Sequence, residues 1–253
     1  MLACSARAVP LVYSGYAVSF SKAGFADPYL PENQDSIVHR VAITRGSSRG
    51  IFNVARESTY EDSVSPLGTA WAFPHNNPSA TLSAANHDAL VFAPWQTANG
   101  GGGGGPPATV DQNAVVHLIE QDIYLDIRFT GWGISTIAGG SFSYQRAVIA
   151  PSADFDRNGF IDGQDFLVWQ SNFGSSDALQ TEGDANFDGV VAADDLSIWQ
   201  TAYGNLLPIS RAVPEPGGLS LAAAVAVALL SKMHRIASRR PVGLSASLGR
   251  RGE

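Results

Sequence analysis

The hydrophobic pattern of the chain changes period near residue 150. From residue 17 to 150, apolar residues come in short runs or strict alternation, broken by Gly, Pro, Asn and Asp. The clearest stretch sets Ile123, Leu125, Ile127 and Phe129 against Tyr124, Asp126, Arg128 and Thr130, the period-two signature of a strand with one buried face. A second apolar run, 114–119, lies just upstream, with Gln121 and Asp122 placed to turn the chain between them. Further strands are expected at 17–20, 37–43, 51–54, 90–92 and 142–149. Short strands separated by turn residues predict an all-β sandwich over 17–150. About 130 residues suffice for one core. The run Gly100 to Gly105, followed by Pro106 and Pro107, predicts a flexible surface loop.

Beyond residue 150 the period is helical. Phe166, Trp169 and Phe173 fall at i, i+3 and i+7, one face of a helix, and Gly174 stands where a left-handed residue ends it. Thirty residues later Leu196, Trp199, Tyr203 and Gly204 repeat the pattern. Each predicted helix follows an acidic loop of twelve residues, beginning at Asp154 and at Asp184.

These loops carry the strongest chemical signal in the chain. Oxygen-bearing side chains occupy loop positions 1, 3, 5 and 12, and glycine occupies position 6, in both copies. A hard cation such as calcium takes six to eight oxygens, and glycine permits the sharp turn between the fifth and seventh ligands. Loop one offers Asp154, Asp156, Asn158, the carbonyl of Phe160, Asp162 and Asp165. Loop two offers Asp184, Asn186, Asp188, the carbonyl of Val190 and Asp195, with a water expected at Ala192 in place of Asp162. Two calcium ions are therefore expected, loop one being the tighter site because it holds one more carboxylate. Asp194, at position 11, is expected to point out of its loop.

The loop-then-helix pair over 151–205 resembles a type I dockerin. The resemblance implies a small all-α domain, folded around two calcium ions and packed through Trp169 and Trp199. A cohesin-like partner would follow from it. At loop positions 10 and 11, however, stand Gly163-Gln164 and Ala193-Asp194 in place of the Ser-Thr-like pair of cohesin-binding dockerins.

Charge divides the chain in the same way. Residues 151–205 hold ten carboxylates and one Arg, while 206–253 hold seven basic residues and two Glu; the whole chain is at −7. This distribution gives no basis for nucleic-acid binding. In the basic part, Val213-Pro214-Glu215-Pro216 precedes an apolar run from Leu219 to Leu230, then Lys232, His234, Arg235, Arg239 and Arg240. That order resembles a PEP-CTERM sorting signal over 206–240, followed by a basic tail at 241–253. The resemblance implies an exosortase-type processing enzyme as partner and transient membrane insertion through a C-terminal hydrophobic helix at 217–231. This is shorter than the roughly 20 residues of a comfortable span. The basic side would stay cytoplasmic.

A single cysteine, Cys4, excludes an internal disulfide framework. Residues 1–16 make a poor export signal, so the true start is expected upstream of Met1. Phe25-Ala26-Asp27-Pro28, Asn33-Gln34-Asp35, Arg49-Gly50-Ile51-Phe52-Asn53 and Trp71-Ala72-Phe73 are similar to an uncharacterised secreted bacterial β-domain, which implies location and no chemistry. His39, His75, His87 and His117 lack metal-ligand spacing, no Ser sits in a GxSxG turn, and the glycine run lacks a following Lys-Ser or Lys-Thr. Asp122 and Asp126 could face outward as a carboxylate pair, and Trp71, Trp95 and Trp132 could stack sugars, although core packing accounts better for the tryptophans. The expected protein is exported, non-enzymatic and displayed at the cell surface or in the extracellular matrix. The alternative is a polysaccharide-active enzyme or carbohydrate-binding accessory carrying the loop pair, with a polysaccharide partner.

Overall fold

The alternation at 123–130 becomes the longest strand of a mostly β chain, and two sheets are built around it. The computed structural model describes residues 9–101, 105–134 and 136–204. The expected sorting signal at 206–240, its expected hydrophobic segment 217–231, the basic end and Cys4 lie outside them. Among the described residues no helix is long and apolar enough to cross a membrane.

Among the described residues nine strands form: β1 (Leu11–Tyr13), β2 (Val18–Lys22), β3 (Asp35–Val38), β4 (Val41–Arg45), β5 (Ile51–Asn53), β6 (Thr69–Ala72), β7 (Asn113–Leu118), β8 (Ile123–Trp132) and β9 (Phe142–Arg146). The larger sheet runs β2-β9-β8-β7-β6, with β1 added in parallel against Ile123–Leu125, and the smaller is the antiparallel set β3-β4-β5. Two one-turn helices, α1 (Trp95–Ala98) and α2 (Gly105–Ala108), lie in the long connection between β6 and β7. Two ten-residue helices, α3 (Gly163–Asn172) and α4 (Ala193–Ala202), close the described chain.

The alternating residues do what their period demands. Ile123, Leu125, Ile127 and Phe129 are fully buried and share one core with Ile43, Ile51 and Phe52 of the small sheet. Trp71 and Trp95 belong to that same core, so neither offers a ring face to a sugar. A buried ion pair between strands ties the sheets together. Asp35 of β3 takes Nε and Nη2 of Arg146 from β9 at 2.7 and 2.8 Å, and the Tyr144 hydroxyl at 2.7 Å.

Three expectations need correction. The run 37–43 is two strands, because a two-residue turn at His39 and Arg40 pairs Val38 directly with Val41. Arg40 sits there at φ 68°, without the glycine or asparagine that usually announces such a turn. The stretch 90–92 is not a strand. Its backbone is satisfied by side chains: Asn77 Oδ1 accepts from Val91 N at 2.7 Å, while Asn76 Nδ2 donates to Val91 O at 2.8 Å. Asp126 does not face outward beside Asp122; it is buried, and its carboxylate accepts from the backbone N–H groups of Gly15 and Ala84. Sequence reading also passed over β1 and β6.

Candidate metal centre

The twelfth residue of each loop organises it. Asp165 is completely buried; its Oδ1 accepts from Phe155 N at 2.7 Å and Asp156 N at 3.3 Å, and its Oδ2 from Asp162 N at 2.9 Å. Asp195 repeats the set, taking Ala185 N at 2.8 Å, Asn186 N at 3.2 Å and Ala192 N at 2.8 Å. Each carboxylate thus folds its loop back on itself while standing in the first turn of its helix, where the helix dipole favours an anion.

The first residue of each loop completes the cradle. Asp154 accepts from Asn158 N at 3.1 Å and Gly159 N at 2.9 Å; Asp184 accepts from Asp188 N at 3.1 Å and Gly189 N at 2.8 Å. Gly159 and Gly189 sit at φ 90° and 88°, where a side chain would be strained. Asn158 Oδ1 takes Phe160 N at 2.7 Å, and Asp188 Oδ1 takes Val190 N at 2.8 Å. These backbone donors and their side-chain acceptors match position by position across the two loops.

In loop one, ligand atoms of Asp154, Asp156 and Asp165 lie within 4.8 Å of one another. Asp162 is not part of that group; its Oδ1 caps α3 by accepting from Gln164 N at 2.7 Å. In loop two, Asn186 Nδ2 reaches Asp188 Oδ2 at 3.0 Å and Asp194 Oδ2 at 2.7 Å. Asp194 therefore does not point away from its loop as expected, since its carboxylate holds the amide at position 3.

Electrostatics in both loops favour a cation. Burial, reinforced by the neighbouring carboxylates, pushes the Asp154 and Asp184 carboxyls up to about 6, despite the N–H groups they accept. Burial likewise raises Asp165 and Asp195. Ion pairs among the described residues leave all four out. A clustered, desolvated anion without a cationic partner is costly, and a bound divalent cation removes that cost. The oxygen-only donor set fits calcium better than zinc or copper.

The two repeats grip each other reciprocally. Trp169 Nε1 donates to Ala192 O at 2.8 Å, and Trp199 Nε1 donates to Asp162 O at 2.9 Å, each indole reaching position 9 of the opposite loop. Gly174 N bonds Val191 O at 2.9 Å while Gly204 N bonds Ile161 O at 3.0 Å, a second exchanged pair. Phe155, Ile161 and Ala185 form the small core beneath them, with Val168, Trp169, Ile198 and Trp199 packed against it. Phe166 lies between the two indoles, its ring 5.7 Å from that of Trp169 and 5.2 Å from that of Trp199, and the exchange of hydrogen bonds has no signal in the repeat.

Outside the loops, His117 lies in β7 with its Nε2 2.9 Å from Asp122 Oδ1, its ring stacked on Tyr124 at 4.1 Å. Sequence spacing had not suggested that pair. No family model matches the chain, and neither does any curated protein or solved structure.

Proposed function

We propose that residues 151–205 are a dockerin-like pair of calcium loops, carried by an exported, non-enzymatic protein of the cell surface or extracellular matrix. Asp154, Asp156, Asn158, Asp165 and the Phe160 carbonyl would hold one ion, with Asp162 contributing from position 9. Asp184, Asn186, Asp188, Asp195 and the Val190 carbonyl would hold the other. The observation that carries this reading is the shared backbone hydrogen-bond scaffold of the two loops, each built on buried first and twelfth carboxylates, with Asp154, Asp156 and Asp165 converging in loop one. Calcium here is structural: it neutralises the loops and fixes the start of each helix. Export and sorting rest on the tail at 206–240, with cleavage by an exosortase-type enzyme after transient anchoring through 217–231.

Calorimetric titration of chelator-treated full-length protein tests the ion. Two calcium equivalents are expected, with substitution of Asp154 and Asp184 abolishing one each. Absence of binding at millimolar calcium would remove the reading. Fractionation of cells that express the chain with an exosortase tests the tail; intact full-length protein in the cytoplasm would exclude sorting.

A further inference from the structure

Position 4 of a calcium loop supplies no ligand, so its side chain is free to do other work. Here that position is Arg157 in loop one and Phe187 in loop two, both in the left-handed region at φ 55° and 65°. A phenylalanine is held there only when its surroundings demand it. Both side chains leave the loops and enter the two-sheet region. Phe187, 5% exposed, belongs to the main core together with Val38, Val41, Leu118 and Ile123. Arg157 is buried as well; its Nε donates to Gln180 Oε1 at 3.0 Å and its Nη2 to the carbonyl of Gln121 in the β7–β8 turn.

The backbone around these two residues is engaged too. His39 N, in the β3–β4 turn, donates to Phe187 O at 2.8 Å. The His39 ring lies so close to Gly189 that a Cβ there would fall 2.4 Å from it. Gly189 is thus needed twice, once for its φ and once for this contact. Arg40 of the same turn donates to the Asp177 carboxylate and carbonyl, and to Glu120 beside the β7–β8 turn. Gln180, fully buried, spans the junction: its N–H donates to Gln121 Oε1 at 3.1 Å and its Nε2 to the carbonyl of Asp154 at 2.7 Å, the first residue of loop one.

We infer that the partner of the loop pair is the two-sheet region of its own chain. Arg157 and Phe187 are the keys, and the ions set how firmly the β3–β4 and β7–β8 turns are held. The ion dependence rests on the calcium reading above; the docking contact does not. An ion fixes the curvature of residues 154–165 and 184–195, and that curvature aims position 4. Emptying the loops frees both keys, and with them the two turns against which they pack.

Amide hydrogen exchange of the full chain tests this, with and without calcium, alongside calorimetry on the same samples. Calcium should bind and slow exchange at residues 39–41 and 119–122 by at least about tenfold. Phe187→Leu, mild enough to fold, should keep binding at loop one but lose most of the protection at 39–41. Arg157→Gln should do the same at 119–122. Calcium that binds without slowing either turn overturns the inference and leaves the calcium reading intact. No binding heat overturns the ion dependence together with that reading. In that case the two variants are compared in chelator, and turn exchange that neither alters overturns the docking contact as well.

Discussion

Replacing Asp165 with alanine isolates what position 12 does before any ion arrives. The substitution removes one buried acceptor that serves three backbone N–H groups. Phe155 N is buried and has no water to turn to, which costs about 1–3 kcal/mol. The other two lie nearer solvent; losing Asp162 N removes half of the capping box of α3, about 0.5–1 kcal/mol, and Asp156 N can turn to water. Against this, burial holds the Asp165 carboxyl above its ordinary range, so removing a strained anion returns part of the loss. A net destabilisation of about 2 kcal/mol follows, or about 4–8 °C in melting temperature for a chain of this size. The assay is a thermal melt by circular dichroism in chelator, with Asp195→Ala as the internal twin. In excess calcium the gap should widen, because wild type gains about 2.7 kcal/mol at a hundredfold excess over Kd and the variant gains less. A variant melting within about a degree of wild type in chelator would refute the hydrogen-bond accounting, whatever calcium does.

Three other outcomes are expected. Asp154 and Asp184 titrate near 6 in the folded, ion-free chain, above the ordinary carboxylate value; protons therefore favour that fold as pH falls from 7 toward 4, and calcium must displace them below about 6. Calcium affinity should be weaker at pH 5 than at pH 7, and calorimetry showing equal affinities would contradict the assignment. Trp169→Phe and Trp199→Phe should each cost about 1 kcal/mol by leaving the opposite loop's carbonyl without its indole donor, and clearly unequal losses in chemical denaturation would speak against the reciprocal packing. Asp35→Asn, which leaves Arg146 buried beside a neutral amide, should cost about 3–5 kcal/mol, while a double replacement by Leu and Met should recover most of it in the same melt.

What was legible in the sequence, and what was not, follows from how far apart the interacting groups lie. The strand at Ile123–Trp132 and both long helices were legible because their periods are written in consecutive residues. The acidic loops were legible because each closes on its own twelfth residue within twelve positions. The β3–β4 turn was hidden because Val38 and Val41 both face the core, so hydrophobicity runs through the reversal without a break. Strand β1 is three residues long and pairs with a strand more than a hundred positions away, a contact with no local trace. Asp126 looked like a surface carboxylate because its partners, Gly15 and Ala84, give only backbone N–H groups, which no composition reveals. Arg157 and Phe187 share a loop position but not a chemistry, so the repeat that made the acidic loops visible concealed these two side chains.

The crossed tryptophan bonds carry a consequence for how such a pair can arise. Each indole finds its acceptor only in the other repeat, so half of the segment is not a smaller version of the whole. A chain with a single copy would meet the same need only by facing a twin molecule, each offering its indole and receiving the other's across a two-fold axis. Tandem duplication turns that dimer inward and replaces an encounter between two molecules with a short tether. Once both halves share a chain they no longer have to stay alike, and positions that do not face the other half are released to diverge.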